Sequence, residues 1–191
     1  MPAEKPLLVY FGHHKCASTW IHQIVAHVCA HLNLRYQAVY NSQAFNHDLP
    51  SFVRDNQVQF LTYGNADYQH VRRLHDFVGF HVVRDPRDLL VSAYFSHLYS
   101  HPTENWPALA KHRPVLQALP QDEGLLLDMQ FNRRFLDEMA SWDYATPNVL
   151  QYRMEEFVKE PETSFRRVFS EMRLLAEGPQ DQAGLLVNKI F

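Results

Sequence analysis

The 191-residue chain holds only two cysteines and six glycines, and it contains no run of about 18 consecutive apolar residues. Cys16 and Cys29 form neither a CxxC pair nor a disulfide framework, so a reducing compartment is expected and a cytoplasmic location is the simplest setting. The missing apolar run argues against a membrane span, and Met1-Pro2-Ala3-Glu4-Lys5-Pro6 lacks the pattern of an export signal. Basic residues are not in excess either: 18 Lys and Arg against 21 Asp and Glu give a formal net charge of -3. A nucleic-acid partner or a polybasic membrane contact is therefore not expected. The length suits one domain with a full core, and with no internal repeat evident residues 1–191 read as a single domain.

What is present begins with Leu7-Leu8-Val9-Tyr10-Phe11-Gly12-His13-His14-Lys15-Cys16-Ala17-Ser18-Thr19-Trp20-Ile21. Five apolar or aromatic residues run into a turn and then into a helically periodic segment, which predicts a buried strand, a tight loop and a helix. A helix starting at Ser18 offers unpaired N–H groups and the positive end of its dipole to an anion. Lys15 adds a full charge, and Ser18 and Thr19 add hydroxyl donors that are placed to cap the helix. The shortage of glycine separates this loop from that of the nucleotide triphosphatases, which requires Gly, four residues, Gly-Lys and Ser or Thr. Here Gly12 precedes Lys15 by three residues and no second glycine follows before the helix.

Downstream, Ile21, Ile24, Val25, Val28, Cys29 and Leu32 continue the helix, strands are expected at residues 35–40 and 58–63, and a short helix at 66–74. His27 and His31 lie one turn apart but lack a third ligand, so no metal site is expected, and His97 and His101 read likewise as boundary or solvated residues. Residues 77–83 form a nearly unbroken apolar run that suits a central parallel strand, and it stops at Arg84-Asp85-Pro86-Arg87-Asp88. Pro86 fits a helix start, and Leu89, Leu90, Ala93, Tyr94 and His97 then follow helical spacing. Residues 101–121 read as a proline-rich loop with a short helical piece, where Trp106 packs either an acceptor or the lid itself. Residues 125–142 read as one helix with Leu126, Met129, Phe135 and Met139 among its apolar positions, residues 148–153 as a last strand, and 162–175 as a closing helix.

Lys15-Cys16-Ala17-Ser18-Thr19-Trp20 resembles the 5′-phosphosulfate loop, Lys-Ser-Gly-Thr-Thr-Trp, of the sulfotransferases that use 3′-phosphoadenosine 5′-phosphosulfate (PAPS). Arg84-Asp85-Pro86-Arg87-Asp88 followed by Ser92 and Tyr94 is similar to their 3′-phosphate motif, Arg-Asn-Pro-Lys-Asp, three residues, Ser and an aromatic. The segment from Leu150 through Tyr152 to Pro161 looks like a third, whose tyrosine lies beside the adenine. The resemblance spans about residues 7–169 and implies a three-layer α/β/α fold around a central parallel sheet with a P-loop-like strand, loop and helix. It also implies transfer of a sulfuryl group from PAPS to a small-molecule, carbohydrate or lipid acceptor, with adenosine 3′,5′-bisphosphate as the product and no metal.

On this resemblance Lys15 neutralises the leaving phosphate, and Cys16, Ala17, Ser18 and Thr19 complete the loop. Arg84 and Ser92 hold the 3′-phosphate. Trp20 and Tyr152 flank the adenine, with core packing the alternative for each. The base is expected at His47, in the stretch Asn46-His47-Asp48, with His70 and Asp67 behind it. The family's basic Gly-rich motif, Arg-Lys-Gly-x-x-Gly, is missing from residues 176–191, and Arg72, Arg73, Arg87 and Arg153 are candidates to substitute for it. Two other functions compete: a nucleotide kinase or related phosphate-transfer enzyme built on the same loop, and a non-catalytic nucleotide-binding module derived from a sulfotransferase.

Overall fold

The computed structural model describes residues 5–175. Its centre is a parallel sheet of five strands, β1 (Leu7–Phe11), β2 (Tyr36–Val39), β3 (Phe60–Tyr63), β4 (Phe77–Val83) and β5 (Val149–Arg153), in the order β2-β3-β1-β4-β5. Alternation along β1 builds both cores. Leu8 and Tyr10 face one side with Phe60 and Phe80, whereas Leu7, Val9 and Phe11 face the other with Leu61 and Tyr63.

Helix α1 (Ser18–His31) covers the first face through Ile21, Ile24, Val25 and Val28, together with α8 (Met154–Lys159) and α9 (Pro161–Glu171). The second face packs on α2 (Leu49–Asp55), on α3 (Tyr68–Val71) and on Trp142. The result is the expected α/β fold, a parallel sheet with helices on both faces. Gly79 in β4 lets β1 and β4 approach closely, since a Cβ there would stand 2.2 Å from the Val9 carbonyl oxygen.

The stretch between β4 and β5 departs from expectation. Helix α4 (Pro86–Phe95) starts on Pro86 with Asp85 accepting from the Arg87 N–H, then widens into a π turn over Ser96–Ser100. Residues 101–121 hold an 11-residue helix, α5 (Pro107–Gln117), and are not mainly loop. Its proline at position 107 begins the helix, which made a proline-rich segment look less helical than it is.

The single helix expected at 125–142 is two, α6 (Gln121–Phe131) and α7 (Arg133–Ala140). The break falls at Asn132, whose side-chain amide donates to the Asp128 backbone oxygen at 2.8 Å and to its carboxylate Oδ2 at 2.7 Å. Because of the break Leu126 and Met129 lie exposed, while Phe135 and Met139 are buried.

Candidate active site

The order of the strands places a topological switch between β1 and β4, where α/β sheets bind ligands beyond the carboxyl ends of their strands. Both sequence motifs end there. After β1 the chain turns through residues 12–17, with Lys15 and Ala17 at φ 58° and 57°. Gly12 is required by contact, because a Cβ would meet the Tyr10 hydroxyl at 2.7 Å.

Ala17, not Ser18 or Thr19, is the N-cap of α1, and it provides no side-chain cap. The first-turn N–H groups are thus left without the side-chain acceptor that the sequence suggested. Ser18 is half-buried and Thr19 exposed. Lys15 is half-buried, and burial together with the nearby Arg84 holds its ammonium below the ordinary value. Cys16 is fully buried, and burial pushes its thiol up to about 12, which leaves it packing against Leu89 and Met139 and chemically quiet.

From the end of β4, Arg84 Nη1 donates to the Lys15 carbonyl at 3.3 Å, so the two motif cations meet on one loop. Its Nε lies 3.7 Å from Oε1 of Glu155 in an ion pair, and that buried nitrogen has no hydrogen-bond partner among the described residues. Ser92 is half-buried on α4. Of the basic residues weighed as substitutes, Arg73 is paired with Asp48 and Arg87 with Asp85, whose carboxyl those contacts hold well below its usual range. Arg72 lines a cavity with Phe77 and Asn148, at the opposite ends of β4 and β5. Arg153 stands in register with Val83, next to Arg84. The missing Gly-rich motif concerns residues 176–191, which lie outside the described residues.

Trp20 packs edge-on against Phe165 at 5.6 Å and Phe157 at 6.5 Å, and it borders the core. Tyr152 meets the same Phe157 at 5.0 Å, and its hydroxyl is buried without a hydrogen-bond partner among the described residues. His47 is exposed, with its carbonyl accepting from Arg73 at 3.0 Å and its ring 6.1 Å from that of His70. Those contacts place it beside the C-terminal end of α3. Asp67 caps α3 through the Gln69 N–H, one residue after Ala66 donates to the Gly12 carbonyl.

Sequence reasoning missed the polar groups buried around the loop. His13 Nε2 and His81 Nε2 are 2.7 Å apart, and His81 Nδ1 lies 2.6 Å from Gln151 Oε1. With Gln151 accepting, His81 donates from Nδ1 and takes the Nε2–H of His13, so both rings are neutral. His97 and His14 are likewise buried, against the expectation of a solvated His97. Helix α7 closes over this region: Phe135 stacks on His14 at 4.4 Å and carries Glu138, whose carboxyl burial pushes up to about 7, partly offset by Arg134 and reinforced by Asp67. Trp106 borders the same cluster, 5.2 Å from His97 and 5.4 Å from Phe131, and so anchors the segment it sits in. Polar residues inside apolar runs, such as His81 within β4, were the available signal.

These features define an α/β domain with a strand, loop and helix unit at its switch point. No protein-family model matches the chain, and no curated protein matches it by sequence. Solved structures do match. Mouse sulfotransferase SULT7A1, solved complexed with PAP, aligns with a TM-score of 0.59 and 13% identity over 99% of this chain and 65% of that chain. Retinol dehydratase in complex with androsterone and inactive cofactor PAP gives 0.49 and 13% over 98% of this chain and 65% of its own. A sulfotransferase from Alicyclobacillus acidocaldarius gives 0.47 and 15% over 94% and 85%. The chain thus has a sulfotransferase fold, and it spans 65% of the length of the first two proteins.

Proposed function

We propose that the protein is a PAPS-dependent sulfotransferase, which moves a sulfuryl group to a hydroxyl or amine of a small-molecule, carbohydrate or lipid acceptor and releases adenosine 3′,5′-bisphosphate. The observation that carries this reading is the contact of Arg84 with the Lys15 carbonyl, which brings the cations of two separate motifs to adjacent strand ends. A ligand with two anionic groups suits that pair. The residues present fit it: the first turn of α1 lacks a side-chain cap, and Arg84 Nε and the Tyr152 hydroxyl are buried without hydrogen-bond partners among the described residues.

In this reading Lys15, Ser18, Thr19 and the loop N–H groups stabilise the leaving phosphate and the equatorial oxygens of the transferring group. Arg84 and Ser92 hold the 3′-phosphate, Arg153 adds charge beside them, and Tyr152 and Trp20 border the adenine. The test is calorimetric titration with adenosine 3′,5′-bisphosphate beside ATP and magnesium. The bisphosphate is expected to bind, and Lys15→Ala or Arg84→Ala to weaken it by about ten- to a hundredfold, the range for hydrogen bonds to charged groups. Preference for ATP with magnesium would favour the kinase reading and sink this one.

A further inference from the structure

A second buried histidine chain lies outside the roles above. Asp128, 1% exposed, accepts through Oδ1 from His97 Nδ1 at 2.9 Å and His112 Nε2 at 3.0 Å, and through Oδ2 from Asn132 at 2.7 Å. The carboxylate fixes His97 with its proton on Nδ1, and the other ring nitrogen of His97 stands 3.2 Å from Nε2 of His14. His97 is 0% exposed and His14 is 8% exposed. Nδ1 of His14 has no hydrogen-bond partner among the described residues. A line of three groups therefore runs from a buried carboxylate to the residue next to Lys15.

The π turn at Ser96–Ser100 lies where this line leaves α4, and Phe135 and Trp106 pack on the His14 ring. No group of three or more His, Cys, Asp or Glu among the described residues is arranged to hold a metal. The chemistry the cluster shares is hydrogen bonding, and it has the form of a base oriented by a second ring and a carboxylate.

We propose that His14 is the catalytic base toward the acceptor and that the His97–Asp128 pair receives the proton, an inference that rests on the sulfotransferase reading. The acceptor O–H bond breaks as its oxygen bonds to sulfur, and the proton goes to Nδ1 of His14. The bond from sulfur to the 5′-phosphate oxygen breaks, and its electron pair stays on the phosphate beside Lys15. The Nε2 proton of His14 passes to Nε2 of His97, which leaves an imidazolium against the Asp128 carboxylate.

His14 alone would be a poor base. Burial first, then His97, Lys15, His101 and Arg134, holds its imidazolium down to about 2. The relay removes the need for the proton to rest there, because the Asp128 carboxylate faces Nδ1 of His97, although the Arg113 guanidinium, on the His97 carbonyl, and His112, on the same Asp128 oxygen, lie nearby. A bound phosphosulfate would also offset the charge of Lys15.

The test compares two acceptors of similar size, benzyl alcohol, which must lose a proton, and 4-nitrophenol in mildly alkaline buffer, which is already ionised. His14→Gln, His97→Gln and Asp128→Asn are each expected to lower kcat for benzyl alcohol by about 10²–10⁴-fold, the usual contribution of a general base. Transfer to 4-nitrophenol and bisphosphate affinity should stay within about threefold, which shows that the variants fold; a purely structural role would depress both acceptors alike. In the unsubstituted chain, nitrogen NMR should find His14 protonated on Nε2. Equal losses for both acceptors, intact alcohol transfer in the variants, a His14 protonated on Nδ1, or an alcohol-specific loss confined to His47→Ala would each overturn the relay. An unsubstituted chain that binds the bisphosphate yet transfers to neither acceptor would overturn the base as well, whereas failure to bind the bisphosphate removes the sulfotransferase reading itself.

Discussion

Oε1 of Glu155 lies 3.7 Å from Nε of Arg84 in an ion pair. The carboxylate is 43% exposed, so its pull is screened and modest. An anionic ligand has to displace or tolerate that charge. Glu155→Gln is therefore expected to tighten bisphosphate binding by about two- to fivefold, the scale of an exposed ion pair, in a calorimetric titration. Weaker binding would mean that Glu155 orients Arg84 for the ligand.

Gly79 sits in mid-sheet with the Val9 carbonyl oxygen 2.2 Å from the position of a Cβ. Backbone cannot yield as a side-chain tip would. Gly79→Ala is expected to destabilise the protein by about 3 kcal/mol, at the upper end of overpacking costs, in a denaturant melt. A loss under about 1 kcal/mol would show that β1 and β4 can part without penalty.

The neutral pair of His13 and His81 makes stability depend on pH. Burial, reinforced by the neighbouring His81, lowers His13 from the ordinary 6.5 to about 3, and burial lowers His81 to about 4. Between those values and 6.5 the unfolded chain binds protons that the native one refuses, so stability is full above about pH 6.5 and falls as the pH drops toward about 4. The slope is about 1 kcal/mol per pH unit for each site. Thermal melts between about pH 7 and 5 should show it in a Glu138→Gln background, which removes the carboxyl raised to about 7 that titrates in the same window with the opposite sign. A His13→Gln, His81→Gln double variant should lessen it and leave the share of His14, which burial lowers to about 2.

Tyr152 offers a way to separate ligand contact from packing. Its hydroxyl is buried without a hydrogen-bond partner among the described residues, so Tyr152→Phe should leave the melting temperature unchanged or slightly raised. If the hydroxyl meets the nucleotide, bisphosphate binding falls by about fivefold in the same variant, the scale of one neutral hydrogen bond. Unchanged affinity would make Tyr152 a core residue alone.

Strand β4 was legible to the residue because an apolar run ended by Arg84-Asp85-Pro86 leaves little freedom in its limits. The start of α1 at Ser18 was legible as well, although its cap was not, since Ala17 adopts the left-handed conformation that removes Ser18 from the capping position. The division into α6 and α7 was not, because Asn132 is a tolerable helix residue until Asp128 is known to need its amide. The histidine chain was hidden for a different reason. His14, His97 and Asp128 are far apart in sequence, and each alone resembles a surface polar residue; only the fold brings them together.

The break at Asn132 fixes an angular relation. Asp128 on one side of it reaches His97, while Phe135 and Met139 on the other side reach His14 and Cys16, so a short span ties the π turn after α4 to the loop of residues 12–17. Each residue of a helix advances the rotation by about 100°. Adding or removing one residue inside this span would swing one of those contacts away while every individual side chain stayed intact. The length of the segment is thus as much a determinant of the site as its composition.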